Sequence, residues 1–254
     1  MNNLKIFLSF CWIIIYFSFS IITFPAITAA ENNTIKIGYI DYTGFIDKKP
    51  DGSYSGYGVD YLTQISRSTG WKYEFIYDSW DNQLKNLKEG SIDFLCHAQI
   101  TPERQKNYLF SKNSIGYEHN IVYAPLNSNY YYNDYQMFNG MNIAFLAGSS
   151  QNDQFLEWSK MHNFFYTSNL YPTEEAAFDA LNNDSVDAVV MGSLSNQKGY
   201  KIIGKFDYEP FYFMTSKQNK ELLIALDNAI TNIKISNPSF EFLLHKNGRY
   251  KKIL

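Results

Sequence analysis

Hydrophobic and polar positions along this 254-residue chain switch repeatedly between two spacings. Short apolar runs at residues 35–40 and 92–96 have the length of buried strands, whereas Val59, Leu62 and Ile65 recur at the interval of one helix face. A glycine, Gly70 or Gly90, comes at the end of each of the first two predicted helices and terminates it. Strands that alternate with helices in this order predict an α/β fold.

The same reasoning assigns the remaining elements. Residues that favour helix starts precede several helices: Asp78 or Ser79, Thr101 followed by Pro102, and Thr173. Predicted strands cover residues 35–40, 72–77, 92–96, 120–124, 142–146, 186–191 and 211–215. Predicted helices cover residues 57–69, 79–90, a short segment after 101, 152–161, 173–181 and 220–235, and a short helix follows Pro238.

A connector rich in Tyr and Asn, residues 127–139, has no apolar periodicity, and the order of strands and helices restarts after it. Residues 87–95 and 181–189 share one spacing, in which a helix end is followed by a turn, an Asp and an apolar strand. Every αβ unit has something of this form. The restart on both sides of the connector nevertheless favours two similar lobes.

We expect lobe 1 to comprise residues 31–124 and 209–254, and lobe 2 to comprise residues 125–208. The last helices follow a return strand, so they should pack on lobe 1. The chain would then cross twice between the lobes, as in a hinged clamp that closes on a ligand.

Residues 1–30 have the composition of a secretory signal. Lys5 is the one charge, residues 6–24 are apolar, and small residues precede Glu31. We expect export to the periplasm or the outer face of the cytoplasmic membrane, with cleavage after Ala30. The apolar run is nearly long enough to span a bilayer, which leaves an uncleaved anchor as the alternative.

Composition excludes several classes of partner. The net charge is −3 and Lys and Arg do not cluster, which argues against nucleic acid and against anionic membrane surfaces. Cys11 lies in the signal segment, so Cys96 has no intramolecular disulfide partner and is expected to be a small buried hydrophobe. The abundance of Tyr and Phe fits either a biased composition filling the core or aromatic walls around a ligand.

Catalytic motifs are absent from the sequence. The four histidines lack metal-ligand spacing, and there is no phosphate loop, dinucleotide fingerprint or nucleophile elbow. His97 and Glu103 are the evident acid/base candidates for a dehydratase, the minor enzymatic alternative. We therefore expect no cofactor, no metal and no enzymatic activity.

Several phrases resemble the extracellular solute-binding proteins of family 3, the polar amino acid receptors of ABC importers, over nearly the whole chain after the signal. The phrases are Gly56-Tyr-Gly-Val-Asp60, Gly90-Ser-Ile-Asp93, Thr101-Pro-Glu-Arg104 and Val186-Asp-Ala-Val189. Others are similar to a subgroup that serves histidine kinases and diguanylate cyclases as sensing domains. Those are Tyr54-Ser-Gly-Tyr-Gly58, Thr69-Gly-Trp-Lys-Tyr73 and Glu209-Pro-Phe-Tyr-Phe213. The resemblance implies a two-lobed, periplasmic-binding-protein-like fold of type II, with a hinge of two crossing strands and a ligand cleft between the lobes.

The resemblance also implies roles for individual residues. Arg104 would pair with a ligand carboxylate, as a planar guanidinium can. Trp80 would be an aromatic wall of the site and Phe45 the opposing wall. Ser149 and Ser150, at a helix start after Gly148, would offer backbone N–H groups to an anion. The structural alternatives are an Arg on a helix surface, a Trp in the core and an ordinary helix cap.

This sequence departs from the family pattern at positions that bear on the ligand. His97 and Gln99 stand where importer receptors usually have Gly and Thr. Gly192 stands where they usually have the Asp that receives the ligand amino group, and Asp41 is a candidate substitute. An unpaired ammonium is costly to bury, so binding of an α-amino acid through the usual contacts is in doubt. A carboxylate-bearing, aromatic or amide-containing ligand fits His97, Gln99 and Trp80 at least as well.

We expect a monomer that captures a small polar ligand and presents it to a membrane partner. That partner is an ABC permease for an importer receptor or a membrane sensor protein for a signalling module. A clamp that has lost its ligand and serves only protein interaction is a further alternative.

Overall fold

The computed structural model of the protein describes residues 33–40, 42–195 and 197–247. The predicted signal segment, residues 1–30, and its cleavage site lie outside these residues. The strands are β1 (Thr34–Tyr39), β2 (Asp47–Lys48), β3 (Tyr54–Ser55), β4 (Lys72–Tyr77), β5 (Phe94–Ala98), β6 (Tyr108–Phe110), β7 (Gly116–Pro125), β8 (Met141–Leu146), β9 (Tyr166–Tyr171), β10 (Ala188–Gly192) and β11 (Tyr200–Ser216). The helices are α1 (Tyr57–Thr69), α2 (Trp80–Glu89), α3 (Pro102–Asn107), α4 (Gln151–His162), α5 (Glu174–Asn182), α6 (Lys220–Ser236) and α7 (Phe240–Asn247). In these ranges no helix has both the length and the apolar character needed to cross a membrane.

The strands form two sets that share β7 and β11. In the first lobe β1 pairs in parallel with β4 and β5, and β11 pairs antiparallel with β5 and β6. In the second lobe β8 pairs in parallel with β9 and β10, and β7 pairs antiparallel with β10 and β11. Helices connect the parallel strands in both lobes, as parallel pairing requires.

The long strand β11 belongs to both lobes. Its first part pairs with β7, from Tyr200 opposite Pro125 to Phe211 opposite Gly116. Its last part pairs with β5 and β6 and leads into α6, which packs against α1. The lobe boundaries predicted at 124/125 and 208/209 fall within these two crossing strands, and they stay a prediction.

The internal repeat has a structural counterpart in the two lobes. The Asp93 carboxylate accepts a hydrogen bond of 2.8 Å from the backbone N–H of Lys36, and the Asp93 N–H donates to the Lys36 carbonyl at 2.8 Å. The Asp187 carboxylate and N–H make the same two bonds with Asn142, also at 2.8 Å. In each lobe the acid therefore clips the start of one strand to the start of its neighbour.

Aromatic side chains fill much of the core. In the second lobe Trp158 stacks on Phe206 with ring centroids 4.9 Å apart, and Phe138 packs against Phe164 at 5.0 Å. Phe138 comes from the predicted connector and is 1% exposed, and Tyr130 and Tyr135 of the same segment also pack against this core, so the connector is anchored to the second lobe. Such rings bury large areas and account for many of the aromatic residues.

Several strands differ from the sequence prediction, and two of the differences concern the arrangement of the sheets. The return strand begins at Tyr200 rather than at residue 211, because its first part pairs with β7. The polar strand β9, Tyr166–Tyr171, was not predicted. It lies at the edge of the second sheet beside β8, where backbone pairing rather than an apolar pattern defines the strand.

Candidate functional site

A cavity of about 40 Å³ lies where the two lobes face each other, at the carboxyl ends of β1, β5, β8 and β10. Open α/β sheets bind their ligands at such ends. From the first lobe the cavity is lined by Tyr42, Trp80, His97, Gln99 and Arg104. From the second lobe it is lined by Leu146, Ser149, Ser150, Gln151 and Met191, and Glu118 reaches it from the crossing strand β7.

Arg104 is a buried cation in the first turns of α3. Thr101 caps this helix by accepting a hydrogen bond from the Arg104 N–H at 3.2 Å, and Pro102 occupies its first turn. The Arg104 side chain donates to the carbonyl of Gln99 at 3.0 Å and to that of Gly148 at 3.1 Å. Among the described residues no carboxylate forms an ion pair with it. Burial lowers the pKa of the guanidinium to about 10, so it stays protonated at neutral pH.

The turn before α4 brings the second lobe against the first. Besides the bond from Arg104 to Gly148, the Ser150 hydroxyl makes a very short contact with the side-chain oxygen of Gln99. Gly148 has a φ of 72°, and a Cβ there would lie 2.1 Å from the Asp81 carboxylate and 2.9 Å from Trp80. Ser150 makes no side-chain cap on α4, so its hydroxyl serves the contact between the lobes.

A buried acid, a phenol and an imidazole form one end of the cavity. The Tyr42 hydroxyl donates to Glu118 Oε2 at 2.7 Å. His97 Nε2 lies 2.8 Å from Glu118 Oε1 but lacks the alignment of a hydrogen bond, so this contact is electrostatic and strengthens when the ring is protonated. The His97 ring stacks on Tyr42 with centroids 4.7 Å apart. Burial, with the neighbouring Glu118 carboxylate, raises the pKa of Tyr42 and keeps its hydroxyl a donor.

Gly192 ends β10 beside this cluster. A Cβ at this position would lie 2.1 Å from Glu118 Oε2 and 2.1 Å from the Tyr42 hydroxyl. Both carboxylate and phenol therefore occupy space that any side chain at position 192 would enter.

Several buried polar atoms around the cavity make no hydrogen bond within the protein. They are Trp80 Nε1, His97 Nε2, Ser149 Oγ and Gln151 Oε1. Each unsatisfied buried group costs about 1–3 kcal/mol, so such atoms are expected to meet a polar molecule in the cavity. Trp80 also carries the Arg104 guanidinium over its ring, 4.9 Å from the centroid.

Of the predicted site residues that the structure describes, Phe45 and Gly192 do not line this cavity. Phe45 is 3% exposed and packs against His97 and Phe211, and it lines a small apolar cavity that adjoins the main one. Tyr42, rather than Phe45, lines the main cavity together with Trp80. Asp41 lies outside the described residues.

The acid/base prediction for Glu103 is wrong in its placement. The Glu103 side chain is 75% exposed and pairs with Lys106 at 2.9 Å on the surface of α3. Helix periodicity explains this, because neighbouring positions 103 and 104 point in different directions and Arg104 is the one that turns inward.

Sequence reasoning missed Tyr42, Glu118 and Gln151. Of these three, Glu118 gave the clearest sequence signal, because it is an acidic residue within a strand. In the structure Gly116, Glu118 and Asn120 lie on the buried face of β7, whereas Tyr117 is exposed. A carboxylate on the inward face of a strand is uncommon and marks a site or a buried pair. Among the described residues no group of three or more His, Cys, Asp or Glu side chains is arranged to hold a metal ion.

Solved structures with the same architecture are numerous. An ABC uptake transporter substrate-binding protein from Streptococcus pneumoniae with bound histidine matches with a TM-score of 0.74 and 21% identity, over 85% of this chain and 92% of that one. An ancestral arginine-binding protein bound to glutamine matches with a TM-score of 0.73 and 22% identity, over 86% and 99%. An ancestral amino acid-binding protein, a precursor of cyclohexadienyl dehydratase, matches with a TM-score of 0.72 and 21% identity, over 86% and 96%. These similarities confirm the predicted two-lobed fold.

Curated proteins gave no match by sequence. The family model for the bacterial extracellular solute-binding proteins, family 3, matches residues 35–251. That range includes both sheets, both crossing strands and every residue that lines the cavity. The chain therefore belongs to the bacterial extracellular solute-binding proteins of family 3.

Proposed function

We propose that this protein captures a small, carboxylate-bearing solute of the amino acid type between its lobes and delivers it to a membrane partner without chemical change. The observation that carries the proposal is the set of buried, unpartnered polar atoms around one cavity, together with Arg104. A pocket with few convergent polar groups inside apolar walls is typical of a small-molecule site.

Arg104 is the group that we propose for the ligand carboxylate. It is 8% exposed, and its described hydrogen-bond partners are neutral carbonyl oxygens. A buried guanidinium is stabilised more strongly by a carboxylate than by carbonyl groups. The Trp80 ring lies within cation–π distance of this guanidinium and helps to hold it at the cavity.

The contacts between the lobes support capture by closure. Gly148 and Ser150 of the second lobe touch Arg104 and Gln99 of the first. A ligand between them would exchange these contacts for its own, and the closed form would hold both lobes in one orientation for a partner to recognise. Solved proteins of this fold that hold histidine or glutamine have ligands of the proposed size class.

A thermal-shift screen of the chain from residue 31 against the common L-amino acids, dicarboxylates and short peptides tests the proposal. A ligand at about 100 times its Kd stabilises a protein by about 2.7 kcal/mol, which corresponds to about 5–10 °C for a chain of this size. We expect at least one such shift.

Arg104→Ala should weaken binding of the same compound by about 30-fold or more, because a buried charge pair loses one partner. The matched control is Arg67→Ala, since Arg67 lies exposed on α1 and contacts Gln64. Loss of binding in both variants, or in neither, contradicts the assignment of Arg104. Calorimetry with the purified variants measures the two Kd values.

We favour the importer as the partner, since family 3 contains receptors of that kind. Deletion of the gene should abolish uptake of the radiolabelled ligand in the host bacterium. If uptake persists and only a transcriptional response to that ligand is lost, the protein serves a membrane sensor instead.

A further inference from the structure

Glu118 is a buried carboxylate at the wall of the cavity. Its side chain is 1% exposed, and it belongs to β7, one of the two strands that connect the lobes. Tyr42 donates one hydrogen bond to it and His97 contacts its other oxygen. A carboxylate has about four acceptor positions, so these contacts leave room for a further donor.

No fixed positive charge compensates Glu118 within the described residues. Its one ion-pairing neighbour is His97, which is cationic only when protonated. Burying a carboxylate is costly unless a cation and hydrogen bonds accompany it. The wall of the cavity therefore holds an acid whose counter-charge is incomplete.

Gly192 makes this position of the carboxylate possible. In the register of the sheet Gly192 lies opposite Asn120, two residues from Glu118 on the same face of β7. A Cβ on Gly192 would come within 2.1 Å of Glu118 Oε2. The observed position of the Glu118 carboxylate therefore requires a glycine at position 192.

The cation and the anion of the cavity are kept apart. Arg104 bonds to Gln99 and Gly148, whereas Glu118 contacts Tyr42 and His97, and the described ion pairs do not join the two. A cavity whose wall presents both an unneutralised cation and an unneutralised anion fits a ligand that carries both charges.

We propose that Glu118, whose carboxylate fills the space beside Gly192, receives a cationic group of the ligand, while Arg104 receives its carboxylate. This inference rests on the proposed function and specifies the ligand as a zwitterion or cationic amino acid. It assigns the recognition of the amino group to the crossing strand β7.

The test compares amino acids with acids of the same carbon skeleton that lack the amino group. The probe pairs are L-alanine with propanoate, L-glutamine with glutaramate and L-phenylalanine with 3-phenylpropanoate, measured by calorimetry on the chain from residue 31. In the parent chain the amino acid of at least one pair should bind at least about 30-fold more tightly than its partner acid. Glu118→Gln should remove this preference and leave the affinity for the partner acid within about twofold. The matched control is Glu157→Gln, because Glu157 is an exposed acid paired with Lys160 on α4.

Each other result has a defined meaning. If Glu118→Gln weakens both members of a pair equally, the acid only supports Tyr42 and His97, and the inference is overturned. If the parent chain binds the partner acids as well as the amino acids, the inference fails while the carboxylate site of the proposed function stands. If no probe and no compound of the screen binds, both fail. Should Glu118→Gln not fold, Gly192→Ala replaces it, because its methyl group would displace the carboxylate and should weaken the amino acid selectively.

Discussion

The charged side chains of the cavity are buried without a full set of compensating partners. Arg104 is buried with neutral partners, and Glu118 is buried with an incomplete counter-charge. Both are costly to keep in a folded protein unless another molecule meets them. The neighbouring Cys96 is different, because it is 2% exposed, follows an apolar run in β5 and packs in the core cluster of the first lobe.

At this scale the thiol of Cys96 gives a prediction of pH dependence. Burial raises its pKa to about 12, whereas an unfolded thiol has a pKa of roughly 8.5. Between these values the unfolded chain loses the proton first, so the free energy of unfolding falls as pH rises, by up to about 1.4 kcal/mol per pH unit. Below pH 8 the contribution is complete.

The measurement is urea unfolding from pH 7 to 10.5 in a Cys11→Ser background, with and without Cys96→Ala. Groups that do not interact with Cys96 titrate equally in both proteins. The stability advantage of the protein that keeps Cys96 should shrink steadily above about pH 8.5. A constant difference across this range would show that the thiol is not shielded from solvent.

Whole elements show the internal repeat more clearly than single residues do. Asp93 and Asp187 follow the same turn after α2 and α5, and each clips its strand to the start of a neighbouring strand. Each Asp directly precedes its strand, and the hydrogen bond that its carboxylate accepts from a backbone N–H of the neighbouring strand explains the residue type.

We expect Asp93→Ala and Asp187→Ala each to lower the free energy of unfolding by about 1–2 kcal/mol, since each removes a charge-assisted hydrogen bond to the backbone. Asp179→Ala is the control, because Asp179 lies exposed on α5. Urea unfolding of the three variants provides the comparison. A loss in one lobe without an equal loss in the other would mean that the two clips are not equivalent.

For the molecule as a whole, the approach of the two lobes depends on one turn. Gly148 touches Trp80 and Asp81 so closely that a side chain has no space, and its carbonyl accepts from Arg104. The crossing strands β7 and β11 connect the lobes, and we expect this turn to limit how far the lobes close.

Gly148→Ala should hold the lobes further apart and weaken ligand binding. Gly70→Ala is the matched control, because Gly70 has a φ of 69° and Gly148 a φ of 72°, but nothing lies within 4 Å of a Cβ at Gly70. Both variants pay a similar cost for a left-handed alanine, about 1 kcal/mol. Small-angle scattering should show a larger radius of gyration for Gly148→Ala alone. Equal radii for the two variants would contradict a limiting role of this turn.

The sequence by itself determined most of the helices, the strands with an apolar pattern and the fold family. Helix α1 and strand β4 begin and end where the pattern of apolar residues predicts, because that pattern reflects which face each element must bury. It also pointed to Arg104, Trp80, His97, Gln99 and the turn at Ser149 and Ser150, which the structure brings to one cavity. The motif that carries Arg104 is a short continuous segment, Thr101–Arg104, so it can be recognised in the sequence without knowledge of the fold.

Only the tertiary structure decided the partners of these residues. Glu118 and Gly192 are far apart in sequence and meet because β7 pairs with β10. In the sequence, Gly192 indicates only that the usual Asp is missing. In the folded protein, the Glu118 carboxylate occupies the space that a side chain at position 192 would need. Charge and volume in a cavity depend on which strands lie side by side, and strand pairing across the long separation between β7 and β10 leaves no periodic trace in the chain.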